Sequence, residues 1–287
     1  MKEALYYEIE KEKSVLCLLC PQGCRLEDGK TGVCGVRENA DGVLYSLVYE
    51  RPVAIHIDPI EKKPLYHFHP GVRILSIGTY GCNLSCPFCQ NYDLSQQDDK
   101  KVLESVKEVN PQKIIDLCRQ DNLKFVAFTY NEPTIFYEYM LETAKLCKAN
   151  DIKTVVVSNG QINEKPLRNL IKYIDAFNID LKAFNPDFYK KICKGDIETT
   201  KNTIRIIIEQ KKHLEVTFLL IEGFNDDENE FREYCLFLKN LDENIVLHIS
   251  RAFPRFKLDF DPTPTGLLKR FEKIAGEYLR FVYLGNI

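Results

Sequence analysis

The sequence predicts an α/β fold: a partial (βα)6 parallel barrel carrying a small cysteine-rich N-terminal extension. Three observations predict it. From residue 73 onward, six short apolar segments alternate with helical patterns. Each segment is β-branched and apolar almost throughout, as a parallel strand covered on both faces must be. Residues 73–287 are also too few for a complete eight-stranded barrel with its helices, which takes about 250. An incomplete barrel, wound right-handed, fits better. The division expected is therefore an extension over 1–72 and a barrel over 73–287.

The extension reads differently from the rest. Residues 20–42 are rich in Gly and Asp and read as a loop-built knuckle. Residues 43–57 supply two short strands, with Pro52 marking an edge or a break. The stretch Asp58-Pro59-Ile60-Glu61-Lys62-Lys63-Pro64 reads as an irregular connection. Barrel strands are expected at 73–79, 125–129, 154–158, 176–181, 214–221 and 244–249. Helices are expected at 111–121, 133–149, 165–174, 199–212, 227–240 and 264–279. Pro111 suits a first helical turn, and Thr134, Asp226 and Thr263 are acceptable caps.

Composition excludes several function classes. The chain has 287 residues, 39 Lys+Arg against 42 Asp+Glu, and a formal charge of −3. That balance gives no polyanion-binding signature, so no nucleic-acid partner is expected. Apolar residues make up 45%, enough to bury a core. No apolar run approaches the roughly 20 residues of a membrane span. Met1-Lys2-Glu3-Ala4-Leu5-Tyr6 lacks the apolar stretch of a secretory signal. A cytoplasmic, membrane-free protein is expected.

The 11 cysteines carry the chemistry. An odd number cannot all pair, and outside a secreted chain thiols are metal ligands, catalytic groups or core residues. Cys82, Cys86 and Cys89 stand in C-x3-C-x2-C spacing directly after the first barrel strand. Loops after parallel strands are where such folds place their chemistry. Three thiolates can hold three irons of a cubane cluster and leave the fourth iron open. A zinc ion with a distant fourth ligand, or buried thiols, is the alternative. Cys17, Cys20, Cys24 and Cys34 form a second set, sufficient for a closed site holding zinc or iron–sulfur. The softness of thiolate accommodates either metal. Cys118, Cys147, Cys193 and Cys235 are scattered and read as small apolar residues.

The triad, with Phe88 before its last cysteine, resembles the radical SAM superfamily. That resemblance implies a [4Fe-4S] cluster on Cys82, Cys86 and Cys89, with S-adenosylmethionine on the open iron. Reductive cleavage would give a 5′-deoxyadenosyl radical that abstracts a hydrogen from a substrate. It also implies roles for polar residues at successive strand ends. A Gly-Gly-Glu-like segment meets the cofactor's amino group; here Tyr130 and Asn131 replace the glycines and Glu132 remains. Ser158 and Asn159 would touch the methionyl carboxylate or ribose. Asp180-Leu181-Lys182 resembles the Asp-Leu-Lys of pyruvate formate-lyase activases, with Lys182 pairing the carboxylate and Asp180 orienting it or binding a cation. His248 would face the cofactor or substrate, or else be a hydrogen-bonded core histidine.

A wider set of motifs is similar to the radical SAM enzyme of the AmmeMemoRadiSam system, a relative of pyruvate formate-lyase activating enzymes. It comprises Cys17-x-x-Cys20-Pro21, Gly35–Asn39, Asp58–Phe68, Tyr130-Asn131-Glu132-Pro133, Ser250-Arg251 and Tyr283–Asn286. This implies a reductant such as flavodoxin or ferredoxin and association with Memo-like and AMMECR1-like proteins; it names no substrate, which is a protein or a small molecule. The family often reads Ser-Arg-Phe-His-Pro where this chain has Ser250-Arg251-Ala252-Phe253-Pro254. It also continues past the Gly-Asn with a cysteine pair, whereas this sequence stops at Ile287. A glycyl-radical enzyme activase and a non-catalytic iron–sulfur or zinc protein are the rival readings.

Overall fold

The computed structural model describes residues 1–96 and 100–287. Its centre is one eight-stranded sheet. Across the sheet the strands run Phe281–Gly285, Val246–Arg251, His213–Leu220, Ala176–Asp180, Lys153–Ser158, Phe125–Phe128, Arg73–Gly78 and Ala54–Pro59. The first seven pair in parallel and the last is antiparallel to its neighbour. The six expected strands are present to within two residues at each end. The sheet thus forms a partial barrel with two free edges.

Both edges extend the expected set. Ala54–Pro59 pairs along Arg73–Gly78 and joins the barrel sheet, although it lies within the residues assigned to the extension. Its Pro59 ends the strand, where a missing N–H costs nothing. Phe281–Gly285 adds a seventh parallel strand beyond the six expected. All five of its residues are half-buried, so it lacks the apolar run that marks an interior strand.

Helices Pro111–Gln120, Tyr137–Ala149, Glu164–Leu170, Ile197–Glu209, Glu228–Leu241 and Thr265–Gly276 connect the strands. Their apolar stripes pack on the sheet, and most core side chains are fully buried. Each such side chain contributes about 1.5–3 kcal/mol. The working caps differ from those expected. Asp227, not Asp226, accepts from the Glu230 amide, and Asn110 and Asp196 cap two other helices. Thr263 spends its hydroxyl on the Leu220 carbonyl, and Thr134 lies inside a 3-10 turn capped by Glu132.

The segment after Pro64 closes the N-terminal end of the barrel. The amides of Tyr66 and His67 donate to the buried carboxylate of Glu215 at 2.9 and 2.7 Å. The Phe68 ring packs against Phe125 and His213, both first residues of strands. With the bottom sealed, the opposite end is left for chemistry.

The N-terminal extension consists of two small antiparallel sheets. It is clamped to the barrel by Arg37 and Glu138, a buried pair at 3.1 Å. Glu138 also accepts from the Leu5 amide, and Arg37 donates to the Leu5 carbonyl, so the pair is hydrogen-bonded as burial demands. Among the described residues no helix is long and apolar enough to cross a membrane.

Candidate active site

A cavity of about 270 Å³ opens at the C-terminal ends of the parallel strands. Cys82, Cys86 and Cys89 line one side, on the loop leaving Arg73–Gly78. Asn131, Glu132, Ser158, Asn159, Asp180 and Lys182 line it from the next three strand ends. The structure therefore brings together every residue that sequence reasoning placed here except His248.

Glu132 is the organising carboxylate. It is only 2% exposed. One oxygen accepts from the Thr134 amide at 2.9 Å and the Ser158 hydroxyl at 2.8 Å, and the other from the Asn159 amide at 2.8 Å. The Thr134 side chain adds a fourth contact, so these donors fill the roughly four acceptor positions of a carboxylate and fix Glu132 at the cavity wall. Burial raises its pKa, and the hydrogen bonds pull against that rise.

Asn131 lines the cavity and also braces the loop behind it. Its side chain ties the cysteine loop, accepting from the Thr79 amide at 3.0 Å and donating to the Gly81 carbonyl at 2.9 Å. Tyr130, at φ +73°, is held by its hydroxyl on Asp58 at 2.7 Å and by Asn91 on its carbonyl. The Asn159 side-chain Nδ2 donates to Asn83 at 2.9 Å and lies 3.7 Å from the Cys82 sulfur. The cysteine loop is thus pinned from two strand ends.

Lys182 lies 2.9 Å from Asp180. Burial opposes its charge, but Asp180 and the thiols of Cys86 and Cys193 outweigh burial and hold it protonated. A fixed cation thus stands at the cavity wall. Burial, then Glu132, pushes the Cys82 thiol up. Burial also raises Cys89, whose sulfur is 3.1 Å from the Ser95 hydroxyl. A hydrogen bond from Cys193 draws Cys86 down.

Sequence reasoning missed Cys193, counted among the scattered thiols. It sits behind Cys86, and its carbonyl accepts from the Ser85 amide, but it does not line the cavity. No spacing signal could have found it. Asn83 and Ser95 lie beside the motif and were findable as polar neighbours. Ser250 and Asn286, quoted only as family motifs, also line the cavity.

His248 lies one layer deeper. Its Nε2 is 2.6 Å from Glu215, and its ring packs on Tyr66 and Tyr283. His67 meets the Tyr283 hydroxyl at 2.7 Å on the same sealed side.

The donor set fits an iron–sulfur cluster with an open position. Three soft thiols share one loop and face a cavity, and the other cavity-lining groups nearby are amides, hydroxyls, carboxylates and one ammonium. As they stand, no three His, Cys, Asp or Glu side chains among the described residues are spaced for a metal ion.

Comparison with known proteins follows the same lines. The family model described as "Radical SAM superfamily" matches residues 76–235. Uncharacterized protein MJ0808 of Methanocaldococcus jannaschii is 37% identical, over all of this chain and 86% of its own. A second protein of that archaeon, MJ1227, carries a provisional name as a glycyl-radical enzyme activating enzyme. It is 30% identical over 72% of this chain and 87% of its own. Among solved structures, a radical SAM methyltransferase from Sphaerobacter thermophilus superposes with a TM-score of 0.58 at 15% identity. It covers 76% of this chain and 67% of its own, a likeness of fold.

Proposed function

Because this chain belongs to the Radical SAM superfamily, we propose that it cleaves S-adenosylmethionine reductively and uses the product radical to abstract a hydrogen from a protein substrate. The observation that carries this reading is the facing of the Cys82–Cys89 loop and the three polar strand ends at Glu132, Ser158 and Lys182 across one cavity. When bound, a [4Fe-4S] cluster on the three thiols would supply the electron for that cleavage.

The chain's own residues do the rest. Lys182, held protonated beside Asp180, offers a fixed cation to the cofactor's carboxylate. The negative charge of Glu132, at the cavity wall, suits the cofactor's ammonium group. Ser158 and Asn159, locked to Glu132, hold that carboxylate in place and bound the cavity. Leu84, Phe88, Val157 and Leu219 supply apolar wall, which limits water around a reactive species.

For the substrate, the activase relative favours a protein. A backbone Cα–H of a glycyl-radical enzyme is one form of that target. The motif set shared with AmmeMemoRadiSam enzymes favours a different one, with Memo-like and AMMECR1-like partners. A flavodoxin or ferredoxin would supply the electron in either case. The test is anaerobic reconstitution with iron and sulfide, then dithionite and S-adenosylmethionine, then assay of 5′-deoxyadenosine. Product is expected from the native chain and not from Cys82→Ala. Its absence from a fully loaded chain, with each candidate protein present in turn, would sink the proposal.

A further inference from the structure

The N-terminal cysteines form a second, separate constellation. Cys17 ends the strand Val15–Cys17, and its amide donates to the Cys24 carbonyl at 2.9 Å. Cys20 lies on the turn between them. Cys34 rides a tight loop closed by the Gly32 amide on the Arg37 carbonyl, at 2.9 Å. All four thiols line one small cavity of about 10 Å³, walled otherwise by apolar side chains and Arg37.

A second observation points to a ligand in that space. Arg37 is 2% exposed and lines the cavity, and its terminal nitrogens are spent on Glu138 and Leu5. Its Nε–H is buried without a hydrogen-bond partner among the described residues. Leaving such a donor unmet costs about 1–3 kcal/mol. Neutral thiols are weak acceptors, whereas metal-bound thiolates are strong ones and commonly take such a bond from a neighbouring group.

We propose that Cys17, Cys20, Cys24 and Cys34 bind a single zinc-type divalent ion in a closed tetrahedral site, with Arg37 donating its Nε–H to a ligating sulfur. A space of about 10 Å³ among four thiols suits one ion. The thiols are not yet at ion-binding spacing, so binding draws them in around it. Four ligands leave no open position, which makes the site structural.

The site also has something to hold. Gln22, on the turn between Cys20 and Cys24, donates to the carbonyls of Asn83 and Lys194 at 2.8 and 2.6 Å. The Cys34 carbonyl and Val36 press on Gly81, next to Cys82. A Cβ there would come within 2.4 Å of that carbonyl. The ion thus fixes the knuckle that backs the active-site loop.

The test uses the full chain carrying Cys82→Ala, Cys86→Ala and Cys89→Ala, so its outcome does not depend on the reaction proposed above. Cobalt(II) titration should give one ion per chain with thiolate charge-transfer and tetrahedral d–d absorption, displaced by zinc. Maleimide mapping by mass spectrometry should find Cys17, Cys20, Cys24 and Cys34 protected until a chelator is added. Arg37→Lys, which keeps a charge beside Glu138 but has no Nε–H, should weaken cobalt binding 10–100-fold. No cobalt absorption, unprotected thiols, iron with labile sulfide on these cysteines, or unchanged affinity in Arg37→Lys would each overturn the assignment.

Discussion

The hydroxyl of Ser158 donates to Glu132 at 2.8 Å, joining the ends of two neighbouring parallel strands inside the cavity. With the Asn159 amide on the other oxygen, one carboxylate fixes the wall on which the cofactor's polar end would rest.

Glu132→Gln places an NH2 group against donors that need an acceptor. We expect a loss of about 1–3 kcal/mol in stability and at least tenfold weaker S-adenosylmethionine binding by calorimetry. Binding at native strength would remove Glu132 from the cofactor site.

Lys182→Met keeps the length of the side chain and removes the cation. Cofactor affinity should fall about tenfold or more, with iron content unchanged. A drop in iron with unchanged affinity would instead make Lys182 a support for the cluster loop.

Cys193→Ala tests whether the site is open. Because Cys193 does not line the cavity, the variant should retain four irons per chain. Loss of one iron in colorimetric assay would mean a fourth thiolate closes the cluster, as a non-catalytic iron–sulfur protein requires.

Glu215 sets acid stability. Burial raises its pKa, but hydrogen bonds from His213, His248 and the amides of Tyr66 and His67 bring it down to about 2 from 4.5. A folded-state value below the unfolded one stabilises above about pH 4.5, and that benefit vanishes as pH falls toward 2. The shift corresponds to about 3 kcal/mol. Urea unfolding of the native chain and Glu215→Gln should differ at pH 7, draw closer by pH 3 and converge below pH 2. A gap of the same size at pH 7 and at pH 2 would assign the effect to packing.

The fold was legible where strands are buried on both faces, because Ile74 to Ile77 or Val155 to Val157 can be little else. It was less legible at the edges. Phe281–Gly285 is half-buried and Ala54–Pro59 ends in proline, so neither carries an interior strand's pattern. The site was legible wherever a polar residue follows an apolar strand, as Glu132, Ser158 and Lys182 do. His248 shows the limit. It and Ser250 are two apart and share one face of a strand. Only Ser250 reaches the cavity, while His248 stops one layer below on Glu215. Period two gives the face and says nothing of depth. Asn131 was placed correctly in sequence but turns its amide to the loop behind it.

The central claim is an open iron facing Glu132 and Lys182. It is tested most directly by electron–nuclear double resonance on the reduced, fully loaded chain with S-adenosylmethionine labelled with 15N at its amino group. A nitrogen hyperfine coupling should appear with the cofactor and be lost in Cys86→Ala. A reduced cluster whose spectrum is indifferent to the labelled cofactor would contradict it.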